Sequence, residues 1–193
     1  MTNFITQRYS RQGLWSLFLM CAFPFHVWTL ILAFRDLSWL TERTNAWDAI
    51  SVMSYGMVFA FIESLVAFAV LLLLGFLVPR QWAEDRRVAL LSILALILSL
   101  WAIVGQLYFL MGLVPSWEII RMLMNTGHPL RVMYLIALAV VIPSLLIPAY
   151  LIARSERAPQ ALNGLVERIS LLTMVYLFLD AVGLVIVVIR NLS

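Results

Sequence analysis

The sequence predicts an all-α, polytopic membrane helix bundle with five transmembrane helices and one short interfacial helix. Three observations lead there. Of the 193 residues, 64% are hydrophobic and 12% are charged, against roughly 25% charged in an ordinary soluble domain. With a mean hydropathy of +1.00, such a chain lacks the polar residues to cover a soluble core, so its exterior faces lipid. Second, five apolar runs each exceed twenty residues, whereas a barrel strand crosses a bilayer with about ten and alternates in polarity. Third, Trp15, Trp39, Trp47, Trp82 and Trp117 fall at the ends of those runs, where an indole sits half in lipid and half in water.

The first span is expected over 13–34. Arginines precede it as in a secretion signal, but the run from Leu14 to Phe34 is too long for a signal core and lacks an A-x-A site. A polar loop is expected from Arg35 to Asn45, where Asn45 and Asp48 have the spacing of a helix N-cap with an acidic partner at N3. The second span, 46–78, stops at Pro79 and is longer than the ~30 Å hydrocarbon layer requires. A charged loop, Arg80 to Arg87, leads to the third span, 88–114.

Ser116 can then cap a short helix over 117–125, with Gly127 suited to the position just past its end. Glu118, Arg121 and Asn125 share one face of that helix, and Trp117, Ile120 and Met124 share another. Such a helix lies in the membrane interface. The fourth span is expected over 131–153, a polar loop over 154–164 and the fifth span over 165–189. There is no repeat and no linker, so 1–193 reads as a single integral membrane domain.

All 13 basic residues are arginine, and they are scattered over the loops without a cluster. They read as topology signals and headgroup contacts, and nucleic acid is not expected as a partner. With the N-terminus cytoplasmic, the inner segments hold eight arginines and the outer ones five. That count orients the chain N-in and C-out, in a prokaryotic inner or cell membrane.

His26, Glu63 and Asp180 lie deep inside apolar runs. Ionisable groups at that depth point at protein or water. Each lies on a seam of small or polar residues at helical spacing. The seams are Ala22–His26–Thr29–Ala33, Gly56–Ala60–Glu63–Ala67, Ala95–Ser99–Ala102–Gln106–Phe109 and Thr173–Tyr176–Asp180–Gly183. Membrane helices approach one another and hydrogen-bond along such seams. His26, Glu63, Gln106 and Asp180 are therefore the candidate buried polar cluster, with Tyr108 and Tyr134 toward its mouth. Arg121 and Arg131 are candidate headgroup contacts. Pro24 frees the carbonyl of Met20 beside His26, and Pro143 and Pro148 interrupt the fourth span.

No phosphate-binding loop, dinucleotide fingerprint, nucleophile elbow or haem-attachment motif occurs. One buried histidine without an H-x-x-x-H or E-x-x-H companion argues against a metal site, and no cofactor is expected. The single Cys21 cannot form an intrachain disulfide. The leading reading is a non-catalytic membrane subunit or accessory protein, with the lipid bilayer and other membrane subunits or further copies of itself as partners. A small transporter or proton-translocating protein using His26, Glu63 and Asp180 is the first alternative, and a lipid-processing membrane enzyme the second. The first expects the seams to be covered within the bundle or by a partner. The second expects a water-connected cavity, and the third a lateral opening with charged headgroup contacts.

Overall fold

The computed structural model describes residues 8–155 and 157–192. Six helices follow in order: α1 Arg11–Arg43, α2 Ala46–Gly75, α3 Glu84–Leu110, α4 Trp117–Asn125, α5 Pro129–Arg154 and α6 Arg157–Leu192. All except α4 are long and apolar enough to cross a membrane.

The caps explain several boundaries. Asn45 Oδ1 accepts from the Asp48 N–H at 2.8 Å, and its amide donates to the Asp48 carboxylate at 2.8 Å, starting α2. The Ser116 hydroxyl accepts from the Ile119 N–H at the start of α4. That helix ends at Asn125, and Gly127 turns the chain just past it with a φ of +71° that glycine adopts without strain.

Elsewhere the helices outrun the expected spans. The loop expected over 35–45 is helical to Arg43, and the loop expected over 154–164 is helical from Arg157. Neither stretch holds a mid-helix breaker strong enough to stop it. There is no Gly or Pro between Arg35 and Arg43, and Pro159 falls in the first turn of α6, where its missing N–H is harmless. Polar composition marked where the chain leaves the hydrocarbon, not where the helix stops. Conversely, α2 ends at Gly75, three residues before the expected Val78, and α3 begins at Glu84 within the expected loop.

The helix α1 is the axis of the bundle. It packs against α2, α3 and α6, while α5 leans mainly on α3. In the most apolar stretch of the first span 44% of residues are buried, against 6% in the fourth. Leu17, Phe18, Leu19, Met20, Cys21 and Ala22 form an unbroken buried run in α1. Contact of Gly56 with Thr29 and of Gly75 with Tyr9 sets α2 antiparallel to α1. The α5 helix is held to α3 by the Trp101 indole N–H, which donates to the Ser144 hydroxyl at 2.9 Å.

Both ends of the bundle are tied by polar contacts. At one end Arg8 donates to the carbonyls of Gly75 and Phe76 at 3.1 Å each, neutralising the C-terminus of α2. Arg87, 3% exposed, donates to the Arg8 carbonyl at 2.6 Å and lies over the Tyr9 ring. Burial raises the Tyr9 phenol above its ordinary pKa. At the other end Arg190 pairs with Asp48, and Asn191 donates to the Tyr55 hydroxyl at 2.6 Å.

Candidate functional site

The four polar residues singled out in the sequence divide between two places. His26 and Asp180 meet directly, at 2.8 Å between Nε2 and Oδ2, and both are buried. Glu63 and Gln106 instead line a cavity between α1, α2 and α3. The reason for the division is packing. The α6 helix closes on α1 along Thr173, Asp180 and the flanking Tyr176, whereas α2 and α3 touch each other only slightly.

The His26–Asp180 contact fixes its own proton count. His26 Nδ1 lies 2.7 Å from the Ala22 carbonyl, which can only accept, so Nδ1 carries a hydrogen. One further proton must lie between Nε2 and Oδ2. The pair is then either imidazole with carboxylic acid or imidazolium with carboxylate, and its net charge is zero in both forms. A neutral pair is the form in which two ionisable groups are tolerated at this depth. Tyr176 stacks on the imidazole, ring centroids 5.9 Å apart and planes inclined by 8°. Among the described residues Asp180 Oδ1 has no hydrogen-bond partner.

Three other buried hydroxyls satisfy themselves, whereas among the described residues Ser92 Oγ finds no partner. Ser54, Ser64 and Thr173 each donate to the carbonyl four residues back, at 2.6–2.8 Å. The seams therefore bring backbones together, and among the described residues His26–Asp180 is the bond that joins two of them.

The cavity has a volume of about 610 Å³. Thr29 and Ala33 of α1, Gly56 and Ala60 of α2, and Ser99 and Ala102 of α3 line it, so three of the four seams contribute to its wall. Glu63 and Gln106 are exposed there, and Asp36, paired with Arg35, also lines it. Aromatic wall is supplied by Phe25, Trp28 and Phe59. Pro24 is part of the lining and lies beside the buried His26, so the proline adjoins both features.

Tyr108 and Tyr134 are not among the lining residues; Tyr108 packs edge-on against Phe109, and Tyr134 is 70% exposed on α5. Arg121 on α4 and Arg131 on α5 are exposed and also lie outside the lining.

No protein-family model, curated protein or solved structure matches the chain. Function is therefore argued from geometry. Among the described residues no three His, Cys, Asp or Glu side chains gather as metal ligands would.

Sequence reasoning missed the tight arginine knot around Tyr9. A signal for it existed: Gly75 lies against the Tyr9 ring, where a Cβ would collide with the hydroxyl. An apolar helix that ends on glycine marks such a close approach.

Proposed function

We propose that this integral membrane protein is a non-catalytic subunit whose α1–α2–α3 cavity receives a transmembrane helix, from another chain or from a second copy of its own. The observation that carries this reading is the cavity wall itself. Parts of three seams of small residues line it, with the exposed Glu63 and Gln106 among them. In lipid there is no hydrophobic drive between helices, and association rests on close backbone approach over small residues and on interhelical hydrogen bonds. An acidic side chain left to the acyl chains costs about 2.5–3.5 kcal/mol at the bilayer centre. A docked helix with a polar side chain opposite Glu63 removes that cost.

The bare surface of α5 supports the same reading, because a span with only Ile152 buried has nearly its whole circumference available for further contacts. The arginine count argues for a cytoplasmic N-terminus within that assembly.

Native electrophoresis after mild solubilisation tests the proposal. The wild-type chain is expected to run in an assembly larger than one copy. Ala102→Leu, which fills the cavity, is expected to release a folded single copy. An Ala102→Leu chain that keeps the assembly intact contradicts the reading.

A second reading uses the same wall. Two carboxylates, Glu63 and Asp36, beside Phe25, Trp28 and Phe59 suit a small organic cation, which a carboxylate neutralises and aromatic faces attract. Under that reading Glu63→Gln abolishes cation uptake into vesicles and leaves any assembly unchanged. The lipid-processing alternative gains no support, since Arg121 and Arg131 line neither this cavity nor the apolar groove between α1, α2 and α6.

A further inference from the structure

Nearer the start of α1, between α1, α2 and α6, lies a second, almost wholly apolar groove of about 740 Å³. Its wall is aromatic. Phe18 meets Phe61 and Phe68 edge-to-face, at centroid distances of 6.2 and 5.7 Å, and Trp15 packs on Phe18 at 5.6 Å. Arg11 lies at one end, in the first turn of α1. Its side chain is exposed, and among the described residues it has no hydrogen-bond or ion-pair partner. The nearby arginines differ: Arg8 and Arg87 are both spent on backbone carbonyls.

At the deep end the groove reaches Asp180, which meets α1 at His26. From Arg11 to His26 the helix rises ~22 Å, more than one leaflet of a ~30 Å hydrocarbon core. A lone cation at the head of a long apolar slot is complementary to one molecule class, an anionic amphiphile with a long chain.

We propose that this groove holds one acyl chain of an anionic phospholipid, with the phosphate on Arg11 and the chain along Trp15, Phe18, Phe61 and Phe68. The chain's far end lies over Asp180. The net-neutral His26–Asp180 pair makes that possible, because an unpaired carboxylate beside an alkyl chain would lose its hydration without compensation, whereas His26 compensates this one. Bound lipid in turn keeps water from the pair. This inference does not depend on what fills the α1–α2–α3 cavity.

The test is native mass spectrometry of the full chain, stripped of lipid in detergent and titrated with phosphatidylglycerol or phosphatidylcholine of identical chains. One phosphatidylglycerol is expected to bind about tenfold or more tightly than phosphatidylcholine, the size of one charge-assisted phosphate contact. Arg11→Gln, on the exposed rim, is expected to reduce phosphatidylglycerol to the phosphatidylcholine level without touching the packing. Ala181→Trp, which fills the groove, is expected to abolish retention of both. Equal retention of the two lipids by the wild-type chain overturns the proposal, and so does an unchanged preference in Arg11→Gln.

Discussion

Two parts of the bundle are built from the same kind of sequence and end differently. Toward α6 the small and polar seam is closed. Thr173 is fully buried, Asp180 holds His26, and a Cβ on Gly183 would lie 3.3 Å from the Ser54 backbone. Toward α2 and α3 the corresponding seams stand apart and leave Glu63 and Gln106 along a cavity. The difference lies in the third helix. The α6 helix packs on both α1 and α2, so its seam has two partners, whereas α2 and α3 flank α1 without meeting closely. A seam of small residues thus marks where something approaches. Whether that something belongs to the same chain is decided by how many helices converge there.

The comparison breaks most sharply at the His26–Asp180 pair. His26→Ala strands a carboxyl group in the closed seam and is expected to cost about 3–5 kcal/mol of stability, read from unfolding of the purified protein in mixed micelles. Asp180→Asn is expected to cost about 1 kcal/mol or less, because the amide N–H can still donate to Nε2 while Nδ1 keeps its hydrogen toward Ala22. Equal losses in the two variants would mean that the pair is not what holds the closed side.

Leucine substitutions on the two sides give the next largest contrast. Gly183→Leu drives a side chain into the Ser54 backbone and is expected to cost about 1–3 kcal/mol in the isolated chain. Ala102→Leu enters empty space and is expected to stay within about 0.5 kcal/mol of wild type. If both destabilise alike, the cavity is closed in solution and the asymmetry is lost.

A smaller effect is expected at α5. Trp101→Phe removes the indole donor to Ser144 at a cost of about 1 kcal/mol. Because α5 has little else to hold it, the loss should appear as faster hydrogen exchange confined to 129–154. Uniformly faster exchange would show instead that α5 and the core open together.

Much of this fold is legible in the sequence, and the reasons are physical. Length and hydropathy are enough for five spans, because an unbroken apolar run of more than twenty residues satisfies its backbone inside lipid as a helix, whereas barrel strands are short and alternate. The caps at Asn45, Ser116 and Gly127 are local, so residue type at fixed spacing describes them fully. Helix ends in polar stretches are not legible in this way. Ser38, Glu42 and Arg43 report water, and a helix continues into water as readily as it stops there.

For the site, periodicity assigns each polar residue to the correct stripe of its helix but not to a neighbour. His26 and Thr29 share a stripe, yet His26 is buried against Asp180 and Thr29 lines the cavity. Which of them closes depends on helix crossing, a tertiary quantity that no single helix encodes. Seams and depth together, for the same reason, grouped Glu63 and Gln106 with the His26–Asp180 pair, whereas they line the α1–α2–α3 cavity.

A helix from outside this copy of the chain, if it covers the α1–α2–α3 cavity, is in reach of Phe59. Phe59, 62% exposed and part of the cavity wall, can be replaced by the photoreactive p-benzoylphenylalanine with little change of shape. Irradiation in native membranes is expected to give one discrete protein adduct, whose mass distinguishes a second copy from a different chain. The same residue at Phe178 of α6, 67% exposed and outside the lining of either cavity, is expected to give none. Adducts with lipid alone at Phe59, or equal protein adducts at both positions, would contradict the account.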